Sequence, residues 1–168
     1  LEIIVINDGS TDGTFRRIKR NFGFELVDIA PEGELKTAEV LSVCELKKDV
    51  PPNIHRLLLI DKKNGGKADA LNVGINFATQ PYVCSMDADS IMEHNAMIQI
   101  MRMLALKKGT VLSIGGQVGI VNGCELKEGQ VVKYGLPKKW ITLFQFTEYI
   151  RSFVAGRTAH AKVNSLLV

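Results

Sequence analysis

The sequence predicts an α/β fold, a mostly parallel sheet flanked by helices, on three observations. Short apolar runs rich in Ile, Val and Leu recur along the chain. Stretches with apolar residues at helical spacing lie between several of them. Polar, glycine-bearing clusters stand just after the runs. In such sheets ligands collect at the carboxyl ends of strands, so these clusters are the candidate functional sites.

The elements follow in order. "EIIVI", Glu2 to Ile6, reads as a strand, Thr14 to Phe22 as a short helix, and Glu25 to Ala30 as a second strand. Residues 31 to 53 are charged and without a clean period, which predicts an insertion of loop and extended pieces. A strand is expected over Arg56 to Ile60, then a helix over Lys67 to Ala78 with Ala70, Leu71, Gly74 and Ile75 on one face. After the breaker Pro81, Tyr82 to Met86 has strand-favouring residues. Glu93 to Lys107 places Ala96, Met97, Ile100, Met103 and Leu104 at helical spacing, its methionines serving as core filling. A strand is expected over Val111 to Ile114, and extended or hairpin structure around the Asn122-Gly123 turn signal. From Lys138 onward the pattern is one or two amphipathic helices broken around Gly156, with Trp140, Leu143, Phe144 and Tyr149 on an apolar face.

The bulk properties exclude several functions. With 168 residues, 46% of them hydrophobic, the chain is one domain's worth of material with enough apolar content for a core. The net charge of +3 comes without a dense basic stripe interleaved with aromatics, so nucleic acid is not expected as a partner; a polyanionic small molecule is compatible. Cys44, Cys84 and Cys124 are odd in number and form no CxxC pair, which predicts free thiols and a reducing compartment. No apolar run reaches the roughly 18 residues of a membrane span, and no secretory signal opens the sequence. The chain enters directly on a strand at Leu1 and stops in an apolar run, which predicts a piece of a longer protein.

Three polar clusters carry the chemistry. The first, "NDGSTDGT" from Asn7 to Thr14, imitates a calcium loop but has Lys19 where the bidentate acid belongs, and a strand rather than a helix before it. It reads either as a tight capped turn or as a tip where Asp8 accepts hydrogen bonds from a base or ribose. The second, "KNGGKADALN" from Lys63 to Asn72, sets Gly65-Gly66 and Lys67 at the start of a helix. Free N–H groups and the positive dipole end favour an anion there. The Walker spacing is absent, and a flexible turn with a solvated lysine is the plainer alternative. The third is Asp87-Ala88-Asp89. Two carboxylates one residue apart repel unless a cation joins them, and magnesium or manganese takes one or two carboxylates together with substrate phosphates. A solvated loop with an aspartate capping the next helix is the competing reading of that motif.

"EIIVINDGSTDGT", "LLLIDKKNGGKADALNVGINFA" and "YVCSMDADSI", in that order, strongly resemble the family 2 glycosyltransferases of GT-A fold. The continuation through "FQFTEYIRSFVAGR" resembles the membrane-associated processive polysaccharide synthases that make poly-N-acetylglucosamine, hyaluronan or cellulose. The resemblance implies an inverting transfer from a nucleotide diphosphate sugar, of the UDP type, to a growing glycan acceptor. It implies that Asp8 contacts the nucleoside, that Lys67 lies near the base or diphosphate, that Asp87 lies beside ribose and metal, and that Asp89 ligates Mn2+ or Mg2+. On this basis residues 1–109 form the nucleotide-sugar-binding part and residues 110–168 the start of the acceptor-side part. The parent would work at the cytoplasmic face of a membrane, held there by segments outside this soluble piece. The family's first strand is expected before Leu1, and its acidic general-base motif beyond Val168. Glu148, in "FTEYIR", is not promoted to base. The alternatives are a haloacid dehalogenase-type phosphatase with Asp87 as nucleophile, and a non-catalytic domain that binds nucleotide sugar.

Overall fold

The computed structural model describes residues 1–106, 113–116 and 118–153, and the chain divides into two units, Leu1–Met86 and Asp87–Val168.

The first unit is a four-stranded sheet with helices. Its elements are β1 (Glu2–Asp8), α1 (Thr14–Phe22), β2 (Glu25–Val27), β3 (Val40–Glu45), β4 (Arg56–Lys62) and α2 (Lys67–Phe77). The strand order is β1-β4-β3-β2. Strands β1 and β4 run parallel in equal register from Glu2 beside Arg56 to Asp8 beside Lys62, whereas β3 is antiparallel to both β4 and β2. The sheet is therefore mixed among the described residues, not mostly parallel. The cause is the charged insertion: part of it folds as β3 and enters the sheet by return connections, which need no crossover helix.

Side-chain alternation sorts β4 between the two faces. Leu58 and Ile60 join Val43, Val73 and Phe77 in the core beneath α2; Leu59 joins Phe24, Cys44 and Leu46 on the other face, where Phe15 and Ile18 of α1 pack. The same period of two carries the α2 face on to Lys62, which is fully buried. Helix α2 lies over β1 closely enough that a Cβ on Gly74 would stand 3.0 Å from Ile6 Cδ1.

Helix α1 starts at Gly13 in the left-handed region, with Asp12 Oδ1 accepting from the Thr14 amide at 3.0 Å and from its hydroxyl at 2.6 Å. It ends at Gly23, where the amides of Gly23 and Phe24 both reach the Lys19 carbonyl. The strand expected over Glu25 to Ala30 stops at Val27, and the strand expected over Tyr82 to Met86 does not form: these residues belong to no regular element and are exposed. Strand propensity alone does not make a strand; a ladder partner does, and no described strand pairs with this segment.

The second unit contains α3 (Ala96–Leu106), β5 (Glu125–Lys127), β6 (Gln130–Lys133) and α4 (Trp140–Ile150). Strands β5 and β6 form an antiparallel hairpin closed by Glu128-Gly129, both at positive φ, as a two-residue type I′ turn requires. Asn122-Gly123 makes a separate turn, Cys124 N–H donating to the Val121 carbonyl at 3.0 Å. On α4, Trp140 and Phe144 are exposed while Leu143 and Tyr149 are half-buried. In α3, Met101 and Met103 are exposed rather than core. Of the strand expected at Val111 to Ile114, Val111 and Leu112 lie outside the described residues, and Ser113 and Ile114 belong to no strand; the expected break at Gly156 also lies outside them.

Candidate functional site

The carboxyl ends of β1 and β4 meet side by side, and the loops that leave them interlock. Gly9, just past β1, has φ +69, and a Cβ there would stand 2.8 Å from the backbone nitrogen of Asn64. Asn64 Nδ2 donates to the Asp8 carbonyl at 3.0 Å. Glycine is thus required by close approach of two backbones as well as by its torsion.

Asp8 is the centre of this junction. Its Oδ1 accepts from the Lys62 ammonium and from the Gly65 amide at 2.9 Å, and its Oδ2 accepts from the Gly66 amide at 2.8 Å. Burial pushes its carboxyl upward, but the Lys62 bond and the two glycine amides outweigh that and hold it below the ordinary range. The amides of both glycines are therefore turned onto a carboxylate of the protein. Neighbouring Asn7 is buried on the opposite sheet face and donates to Asp61 Oδ1 at 2.7 Å, so consecutive residues of β1 tie the two strand ends together on both faces.

Lys62 and Asp69 are the participants that sequence reasoning missed. The Lys62 Nζ lies 2.6 Å from Asp69 Oδ1 and donates to the Lys63 carbonyl at 2.7 Å. Burial alone would lower the lysine, but Asp69 and Asp8 together raise it. Asp69 sits in the first turn of α2, its Oδ2 accepting from the Ala38 amide at 2.8 Å. Its carboxyl is lowered first by Lys62, against desolvation. The available signal was the alternation Leu58, Ile60, Lys62, which puts a lysine on an apolar face at the end of a strand; its partner could be read only from the register of β1 on β4.

Lys67 is the first residue of α2, exposed, at the helix end where the backbone favours negative charge. Asp87 and Asp89 begin the second unit. They lie on an exposed turn closed by the Ser90 amide, which donates to the Asp87 carbonyl at 3.0 Å. Two exposed carboxylates on one turn are hard oxygen donors and suit Mg2+ or Mn2+ with water and phosphate completing the shell. Among the described residues no group of three His, Cys, Asp or Glu is placed to hold a metal ion by protein ligands alone. Glu148 makes a two-pronged ion pair with Arg151, the closer contact 2.7 Å, which lowers its carboxyl and leaves it poorly suited to take a proton. No helix among the described residues is long and apolar enough to cross a membrane.

Comparison with known proteins gives the family. The model of Glycosyl transferase family 2 matches residues 42–159, well over half of the chain. Among curated proteins, the poly-beta-1,6-N-acetyl-D-glucosamine synthase of Staphylococcus aureus (strain COL) is 34% identical over 98 residues, and that of Staphylococcus epidermidis is 33% identical over 98. Each alignment covers 56% of this chain but only 16% of the relative's length. No solved structure matches significantly. The matched stretch takes in β4, the Gly65-Gly66 loop, Lys67, Asp87 and Asp89, and on that match the chain belongs to glycosyl transferase family 2 and has its GT-A fold.

Proposed function

We propose that the chain supplies the donor side of an inverting, metal-dependent transfer from a UDP-type nucleotide sugar to a growing glycan. The supporting observation is the junction of β1, β4 and α2, where a glycine loop held from below by Asp8 leads straight into Lys67 at a helix N-terminus. That end attracts a diphosphate through its dipole and through the lysine charge. Asp8 Oδ2 accepts one hydrogen bond among the described residues, which leaves it a lone pair for a nucleoside N–H or hydroxyl. Asp89, with Asp87, would hold Mn2+ or Mg2+; when bound, the cation neutralises charge developing on the leaving diphosphate.

The names of the relatives suggest N-acetylglucosamine as the sugar and a polysaccharide as acceptor; attachment of the parent to a membrane through other segments belongs to the same proposal and rests on the sequence resemblance alone. Family membership sets aside the phosphatase reading of Asp87. Asp87 and Asp89 are given to the cation in this scheme, and Glu148 is held by Arg151. The proton of the attacking hydroxyl is therefore assigned to a carboxylate beyond Val168 in the parent, within hydrogen-bond reach of the acceptor. The isolated chain is expected to bind donor and transfer no sugar; transfer by residues 1–168, lost on mutating one of their own acids, would overturn this assignment.

Titration calorimetry tests the donor reading. UDP should bind more tightly with Mn2+ than without, and Asp89→Ala should abolish that enhancement. Equal affinity with and without the ion in the unsubstituted chain would refute it.

A further inference from the structure

Lys62 is a fully buried cation at the end of β4, on the face that carries the core residues Leu58 and Ile60. Packing alone would be served by leucine or methionine, since a buried ion pair seldom stabilises more than well-packed apolar side chains of the same volume. The placement of its charge has a local consequence. Two of the ammonium's three donors are engaged in hydrogen bonds, one to the Asp8 carboxylate and one to the Lys63 carbonyl at 2.7 Å, and the Asp69 carboxylate stands beside it as an ion pair, its Oδ1 2.6 Å from Nζ but without hydrogen-bond geometry.

These contacts grip the loop of residues 63–66 at both ends. The Lys63 carbonyl is held directly; the Gly65 and Gly66 amides are held through Asp8, whose position the ammonium fixes. Asp69 closes the third side, because a Cβ on Gly65 would stand 2.6 Å from its Cγ. The direction in which the loop delivers Lys67 follows from the cluster beneath it. Without the lysine, two carboxylates would face each other under the loop, repelling one another and any anion above.

We infer that Lys62 is a positioning residue for donor binding: through Asp8 it sets the conformation of the Gly65-Gly66 loop and so the presentation of the α2 N-terminus to a diphosphate. The inference rests on the proposal that this loop is the diphosphate side of the donor site, and it adds a residue that never touches the ligand.

The test compares the full chain with its Lys62→Met, Lys62→Arg and Asp69→Asn variants. Amide exchange at Gly65 and Gly66 is read by NMR without ligand, and affinity for UDP and for uridine by calorimetry. In Lys62→Met the two glycine amides should exchange about tenfold faster or more while Leu58 to Ile60 stay protected, as local opening of a loop requires. UDP affinity should fall about tenfold and uridine affinity by clearly less, because uridine loses only what the displaced Asp8 gives the nucleoside, whereas UDP also loses the loop and helix end that face its diphosphate. Lys62→Arg, which keeps the charge and its donors, should restore part of both. Should Lys62→Met fail to fold, Asp69→Asn must show the same changes at smaller size. Unchanged glycine exchange, or equal losses for UDP and uridine, overturns the inference. Failure of the unsubstituted chain to bind UDP refutes the donor reading instead, and the exchange comparison then decides by itself whether Lys62 holds the loop.

Discussion

Asp8, Lys62 and Asp69 bring three charges into one partly buried cluster, and their protonation is coupled to folding. The two carboxyls are held below their ordinary value of 3.8 and the lysine above 10.5. The carboxylates thus contribute stability that is full above pH 3.8 and is lost as pH falls through their lowered values. The lysine contributes below pH 10.5 and loses its share as pH rises through its raised value. Denaturant unfolding across pH should show a plateau between these limits. Asp69→Asn should lower the plateau and flatten the acid limb, because it removes a carboxyl whose lowered titration is tied to the folded ion pair with Lys62. An unaltered acid limb would show that Asp69 does not titrate with folding. At Gly9, alanine has both positive φ and the Asn64 backbone against it. Gly9→Ala should destabilise by about 1 to 3 kcal/mol in the same measurement, as overpacking does.

At the scale of elements, the insertion is the instructive case. Residues 31–53 carry no clean period, yet they contain β3 and a segment laid along α2. Asn76 of α2, buried, fixes that segment: its Oδ1 accepts from the Leu35 amide at 2.9 Å, its Nδ2 donates to the Leu35 carbonyl at 2.8 Å, and its own carbonyl accepts from Glu32 and Gly33. Asn76→Ala removes the two side-chain bonds and spares those to the carbonyl. It should cost about 1 to 3 kcal/mol and speed amide exchange at Leu35 more than at Glu32. Equal acceleration at both would mean that the side chain does not act locally. The hairpin teaches the same lesson. Asn122-Gly123 does turn, but the two strands are joined at Glu128-Gly129, where a glutamate takes a positive φ that residue statistics assign to asparagine or aspartate. Propensity identifies segments able to turn, and pairing selects which of them joins two strands.

For the whole molecule, the apolar pattern was legible because burial on two sheet faces needs it: Leu58, Leu59 and Ile60 are all fully enclosed between α2 on one side and α1 on the other. Leu59→Ala should cost about 2 to 5 kcal/mol in denaturant unfolding, the range for a buried leucine that leaves a cavity. A cost below about 1 kcal/mol would show that the α1 side of the core collapses freely. Taken alone, the sequence determined the α/β class, the positions of β1, α1, β4 and α2, and the three polar clusters, because each follows from local periodicity or local turn chemistry. Tertiary structure decided what those clusters touch. Parallel pairing of β1 on β4 in equal register set Asp8 beside Lys62, and the first turn of α2 brought Asp69 to the same ammonium. The glycine amides consequently face a carboxylate of the protein. A contact between residues 54 apart depends on strand register, which is set by pairing across the sheet and lies beyond any local window of sequence.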